Sequence, residues 1–352
     1  MCKSTKNLDQ VSTFESDGKC FARIPKKDIR SEGPFDLKKL TATGRSDLQD
    51  IVTKLETYGM CVVKNYYSVE ECEQIKKELE PYYMRDESWN GSPFPKQTTV
   101  APRCALISES CRDKIVCDNL YSELSHHFIS ESNLLWIGEG LRRGQAGFQL
   151  NSGIAYRVGP GAGNQMYHRE DMVHHNVHPR RDAYHYGDDT HLGMAVALTK
   201  MNKKNGATRA IVGSHLWGPL DGPGDFDENL EIHLEMDEGD VMFMLGSVYH
   251  AASANSSDSE RIAAFFFMNK SYLRQEENYH IDQKPESFRD MSLKALTLMG
   301  LHVSEPFCGH IDYKSPAFHI NPELEEVEGK GKAKYSQVLY PVFEPSKESQ
   351  KA

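Results

Sequence analysis

Along the first third of the chain, apolar positions recur at helical spacing. Leu48, Ile51, Val52 and Leu55 share one face of the segment from Asp47 to Tyr58, which predicts an amphipathic helix ended by Gly59. Met60, Cys61, Val62 and Val63 then read as a short buried strand. SVEE (68–71) is a capping box, and the helix behind it turns Cys72, Ile75 and Leu79 inward before Pro81 stops it. Residues 113–130 predict another helix. From about residue 150 the period changes from helical to extended. GIAYRVG (153–159), LGMAVALT (192–199), TRAIVGS (208–214), EIHLEMDEGDVMFML (231–245) and RIAAFFFM (261–268) alternate or are apolar throughout, with turn residues between them. Such runs suit a β-sandwich or barrel. Helical texture returns at Pro285–Leu298. The pattern predicts a mainly β fold with flanking helices. It comprises an N-terminal arm (1–40) and one domain (41–352), with a β core at about 150–270 and a helical tail segment at 271–352.

Composition narrows the picture. The 352 residues are 39% hydrophobic and 26% charged, which is globular. The net charge of −10 disfavours a phosphate backbone as partner, so no nucleic acid is expected. No apolar run reaches the roughly 18 residues of a membrane span, and the N-terminal residues lack the apolar core of a signal peptide. The C-terminal SKESQKA is not a peroxisomal tripeptide. Eight cysteines (2, 20, 61, 72, 104, 111, 117, 308) form no C-x-x-C pair and read as reduced thiols. A cytoplasmic protein, monomeric or homodimeric, acting on a small molecule and not on a membrane, is expected.

The chemistry concentrates in NQMYHREDMVHH (164–175). Alternation along an extended chain points residues i and i+2 the same way, which pairs His168 with Glu170 and turns Asp171 to the other face. Two histidines and one carboxylate on one face form a site for non-haem Fe(II). They leave the ion a net charge near +1 and open positions for a chelating co-substrate and dioxygen. His250, ending the apolar run GDVMFMLGSVYH (239–250), offers the second imidazole. Arg261 opens the next apolar strand. Pairing of the two strands as a hairpin would set Arg261 beside His250, where a guanidinium suits a bidentate clamp on a carboxylate. His168 and Glu170 alone would be unremarkable in a loop; the distant His250 and Arg261 carry the metal reading.

This set resembles the phytanoyl-CoA dioxygenase family, a branch of the Fe(II)/2-oxoglutarate-dependent oxygenases, and within it the fungal members that tailor secondary metabolites. The resemblance runs from about residue 45 to 275. It rests on the strand after Gly59 with the Ser68 helix, Gln165-x-x-His168-x-Glu170, NGATRAIVGSH (205–215), and GSVYH (246–250) with Arg261. It implies a double-stranded β-helix core of the jelly-roll or cupin type. It implies iron ligands His168, Glu170 and His250, with Arg261 on the far carboxylate of 2-oxoglutarate and Gln165 and Thr208 helping to hold that co-substrate. Dioxygen is the other reactant. The family usually carries aspartate where this chain has Glu170, and Asp171 stays open as the alternative acid. The implied reaction is oxidation of an aliphatic C–H of a small molecule, a biosynthetic intermediate or an amino acid, by hydroxylation, desaturation or oxidative cyclisation. The rival is a degenerate, non-catalytic binding or partner protein of the same fold.

The remaining histidines (174, 175, 178, 185, 191) are expected to line or roof the pocket, or to orient its ligands. Pocket walls are expected from 171–190, from 80–105, and from the apolar tail segment VLYPVFEP (338–345) folding back. No dense basic patch is visible for the phosphates of an acyl-CoA.

Overall fold

The computed structural model describes strands 12–16 and 19–23, residues 33–85 except 43 and 46, residues 94–328 except 225, and strand 340–343. The rest of the expected arm, half of the expected tail fold-back and the C-terminal SKESQKA lie outside the described residues.

The helical front follows its local signals. Asp47 caps α1 (Leu48–Tyr58) by accepting from the Asp50 N–H, and Ile51, Val52 and Leu55 are buried. Gly59 closes it at φ 82°, a left-handed conformation that also brings its backbone against Val248 and His215, where a Cβ would lie 2.5 Å from the Val248 side chain. The Ser68–Glu71 box caps α2 (Val69–Leu79) as predicted. The helix predicted over 113–130 is broken. A wide turn covers Cys111–Val116, and α4 (Asn119–Ile129) starts afresh because Asp118 accepts from the Tyr121 N–H and caps it. A short α3 (Cys104–Ile107) precedes both. The predicted helix at 285–298 likewise divides into a 3-10 turn, Pro285–Phe288, and α5 (Leu293–Leu298), recapped by Ser292.

The described residues form fourteen strands: β1 (Ser12–Ser16), β2 (Lys19–Arg23), β3 (Met60–Val63), β4 (Thr98–Ala101), β5 (Glu131–Ile137), β6 (Gly140–Ala146), β7 (Phe148–Val158), β8 (His191–Ala197), β9 (Thr208–Ile211), β10 (Glu231–His233), β11 (Val241–Leu245), β12 (His250–Ala252), β13 (Arg261–Lys270) and β14 (Tyr340–Phe343). The major sheet is antiparallel, in the order β3-β11-β8-β13-β7-β4. Every residue of β8 and β11 is buried, which explains why their sequences are apolar runs without alternation. A minor sheet runs β10-β9-β12, and a bridge between His168 and His250 adds the metal-motif segment to it. Together they form the double-stranded β-helix, with α1 and α4 packed on the major sheet. The single run expected at 231–245 divides into β10 and β11. Between them Asp240 accepts from the N–H groups of Asp237 and Asn65, and Gly239 (φ 87°) lies so close to Tyr67 O that a Cβ would meet it at 2.2 Å.

The β5–β6 hairpin has no counterpart in the sequence reading. It forms a separate small sheet with β14, so the described part of the tail pairs with β6.

His215, in the VGSH stretch, ties this architecture together. Its Nε2 meets Glu56 O at 3.0 Å, joining α1 to the turn after β9. Burial pushes its pKa down to about 4. The unfolded chain therefore binds more protons between pH 6.5 and 4, and the folded state loses stability as pH falls through that window. His215→Gln keeps a donor for Glu56 O and cannot titrate. Denaturant unfolding at pH 7 and pH 4 should show the wild type losing about 3 kcal/mol relative to the variant. Parallel pH dependences would refute the assignment.

Candidate active site

The antiparallel bridge pairs His168 with His250 through both backbone bonds, each N to O 3.0 Å, and sets their rings 4.5 Å apart. In each ring Nδ1 is within hydrogen-bond distance of a nearby carbonyl, Met166 O at 3.0 Å for His168 and Val248 O at 3.1 Å for His250. A carbonyl only accepts, so Nδ1 donates in each ring and Nε2 is the nitrogen left to face a metal. The two Nε2 atoms converge on Glu170 Oε1, at 3.4 Å from His168 and 3.0 Å from His250. Burial alone would raise the Glu170 pKa, but the two imidazoles win and hold its carboxyl far below the usual range. Burial alone would lower the His168 pKa; the Glu170 carboxylate raises it instead. A divalent metal could take the place of the protons between these groups, and His168, Glu170 and His250 converge as two nitrogen donors and one carboxylate able to hold it.

Asp171 is turned away from this set. Its N–H, like that of Glu170, bonds Gly246 O, but its side chain is buried against His178, and Asn176 donates to it at 3.3 Å. Asn176 also donates to Asp188 O at 2.9 Å, so the loop after the ligand segment is fastened from beneath. Asp189 completes this second buried cluster, and desolvation there pushes its carboxyl up to about 6. Of the two roles expected for the other histidines, lining the cavity is not seen: His174, His175, His178, His185 and His191 are not among its lining residues. His174 stacks on His191, His178 holds Asp171, and His185 faces Asp188.

A cavity of about 660 Å³ opens over His168, Glu170 and His250, and Gln165, Thr208 and Arg261 line it as well. Gln165 is fixed by Ala252 N–H donating to its Oε1 at 3.0 Å. Thr208 is buried on β9 opposite Ala252. Arg261 is 1% exposed. Its Nε and Nη2 donate to Gly206 O at 3.2 and 2.8 Å, while Nη1 has no partner and no acid pairs with it among the described residues. Burial pushes its pKa down to about 10. An uncompensated guanidinium in such a place fits an anionic ligand.

The hairpin expected to join His250 to Arg261 is not formed. β12 pairs with β9 in the minor sheet, and Arg261 pairs with Val158 of β7 in the major one. The turn between them crosses from sheet to sheet, held by Asn255 Nδ2 donating to Val158 O and Ser259 O. The two residues meet across the cavity and not along a ladder. Met172 and Val173 from 171–190, and Phe94, Pro95 and Thr98 from 80–105, supply walls as expected.

A family profile, that of phytanoyl-CoA dioxygenase (PhyH), matches residues 55–263, more than half of the chain. The chain belongs to the phytanoyl-CoA dioxygenase family. It is a dioxygenase of the iron- and 2-oxoglutarate-dependent class, and the donor set and the unpartnered Arg261 fit that metal and that dicarboxylate. The uncharacterized protein YJR154W of Saccharomyces cerevisiae is 50% identical over 289 residues, covering 82% of this chain and 84% of its own. Dioxygenase cnsJ of Penicillium expansum is 32% identical over 298 residues, covering 84% and 89%. The solved structure of HygX from Streptomyces hygroscopicus with nickel, 2-oxoglutarate and hygromycin B overlaps 64% of this chain and 88% of its own, at 13% identity and a TM-score of 0.47.

Two cavity residues of this dioxygenase escaped the sequence reading. Tyr156 stands on β7 with its ring edge-on to Phe265 at 5.6 Å. Glu276 lies in the loop after β13. Neither sits in a motif, and only the closure of the sheets brings them to the metal-binding set.

Proposed function

We propose that this dioxygenase oxidises an aliphatic C–H bond of a small molecule, with His168, Glu170 and His250 as the iron ligands and Arg261, Thr208 and Gln165 holding 2-oxoglutarate. The observation that carries the reading is the pairing, in one cavity, of a converged two-histidine-and-carboxylate set with a buried guanidinium lacking a counter-ion. The bound iron supplies the activation of dioxygen. The chain's own part is positional. The Nδ1 hydrogen bonds aim both imidazoles, Arg261 anchors the distal carboxylate, and the Phe94, Tyr156, Phe265 and Phe267 walls exclude water. The outcome is hydroxylation, desaturation or oxidative cyclisation of a biosynthetic intermediate or amino acid, with the positioned C–H deciding which. A cavity of this volume suits such ligands. Among the described residues that line it, Arg261 is the only arginine or lysine, and none of the others would receive the phosphates of an acyl-CoA.

The test is an anaerobic titration of the metal-free protein with Fe(II) and then 2-oxoglutarate. A weak visible charge-transfer band, saturating at one equivalent, supports the reading. Its absence in protein shown to contain iron would sink it.

A further inference from the structure

We propose that Glu276 is the recognition carboxylate for a protonated amine in the substrate. This rests on the oxygenase reading and names the substrate class of the same cavity.

Glu276 lines the cavity together with His168, Glu170, His250 and Arg261. It is held rigidly. Its N–H donates to Asn151 Oδ1 at 2.9 Å, and its Oε2 accepts from Asn151 Nδ2 at 3.1 Å. Asn151 is 1% exposed, and its Oδ1 also accepts from Asn269 Nδ2 at 3.2 Å, so the clamp is itself locked into β7 and β13. No lysine, arginine or histidine forms an ion pair with Glu276 among the described residues.

The adjacent Glu277 shows what a structural acid looks like here. It accepts from Gly153 N–H at 2.6 Å, Arg103 N–H at 2.7 Å and Tyr279 O–H at 2.7 Å, and so its capacity is spent on the fold. Glu276 is hydrogen-bonded by the Asn151 and Ser152 side chains and by no backbone N–H among the described residues, and so keeps acceptor capacity towards the cavity. Solvent reaches it, yet the surrounding protein and the nearby Glu170 charge push its carboxyl up to about 7. A cation seated there would offset the first effect, as a bound metal would the second.

The rest of the cavity agrees. Among the described lining residues Arg261 is the one arginine or lysine, and on the oxygenase reading the dicarboxylate co-substrate takes it, which leaves Glu276 as the charged anchor for a second ligand. Phe94, Tyr156, Phe265 and Phe267 line the same space, with Tyr156 5.3 Å from Phe94 and 5.6 Å from Phe265. Aromatic faces attract a desolvated ammonium as well as an apolar skeleton. At the mouth Met166, Met172 and Val173 are exposed, an apolar rim suited to the body of such a molecule.

The matched probes are 2-phenylethylamine and 2-phenylethanol, alike except for ammonium against hydroxyl. Binding is measured by calorimetry on the protein loaded anaerobically with Fe(II) and 2-oxoglutarate. The amine is expected to bind about 10- to 100-fold more tightly than the alcohol, the worth of one charge-assisted hydrogen bond. In Glu276→Gln the amine should fall to the affinity of the alcohol, while alcohol binding and the chelate band persist. Equal binding of the two probes to wild type, failure of the amine to saturate, or a preference surviving in Glu276→Gln would each overturn the proposal. A missing chelate band in the wild type is a different failure, that of the oxygenase reading, and it is read independently of the calorimetry.

Discussion

Glu170→Ala is expected to abolish the Fe(II)/2-oxoglutarate charge-transfer band, whereas Asp171→Ala keeps it. The two acids are neighbours in sequence and opposites in place. Glu170 Oε1 is 3.0 Å from His250 Nε2 and 3.4 Å from His168 Nε2, while Asp171 bonds His178 on the far side of the loop. Loss of an outer hydrogen-bond partner costs a metal site about 10- to 100-fold in affinity, and loss of a direct carboxylate ligand should exceed that. Asp171→Ala should appear instead in unfolding, with a loss of about 3 kcal/mol, because it leaves His178 buried without its acid partner. A band lost in Asp171→Ala and kept in Glu170→Ala would move the ligand to Asp171.

Arg261→Met carries the second large effect, and it acts in opposite directions on function and stability. The guanidinium is 1% exposed, shares a single carbonyl acceptor, and has no acid paired with it among the described residues. Without co-substrate this is an unfavourable burial of charge. Methionine of similar length should leave the ligand-free protein as stable or up to about 3 kcal/mol more stable. The same change removes the counter-charge for the distal carboxylate, so the concentration of 2-oxoglutarate needed to develop the band should rise about 100-fold or more. Iron affinity measured without co-substrate should not change, since Arg261 lies outside the donor set. Arg261→Lys should recover only part of the loss, because a point charge cannot reproduce the planar fork. Unfolding curves and a co-substrate titration on the three proteins suffice. A stability loss with unaltered co-substrate binding would show that Arg261 serves the fold.

The sequence by itself determined much of what is local or periodic. Helical spacing and caps placed α1 and α2 to within a residue, because a capping side chain and a left-handed glycine act on the nearest backbone groups. Apolar runs located β8, β11 and β13 because central strands covered on both faces admit little else. The i, i+2 rule paired His168 with Glu170 and set Asp171 apart, but only His168 lies in a bridge; a 3-10 turn over Glu170–His174 is what sends the two acids to different sides. Tertiary structure decided the rest. Arg261 reaches the cavity through the opposite sheet, not through a hairpin with His250, because Asn255 carries the turn across between the sheets. The histidine-rich stretch after the motif packs beneath the ligand loop, where a buried acid needed a partner. Glu276 and Glu277 are indistinguishable as letters. Which one is consumed by backbone donors and which one faces the cavity depends on where β7 passes, and that is set only when the long-range pairs of the major sheet close.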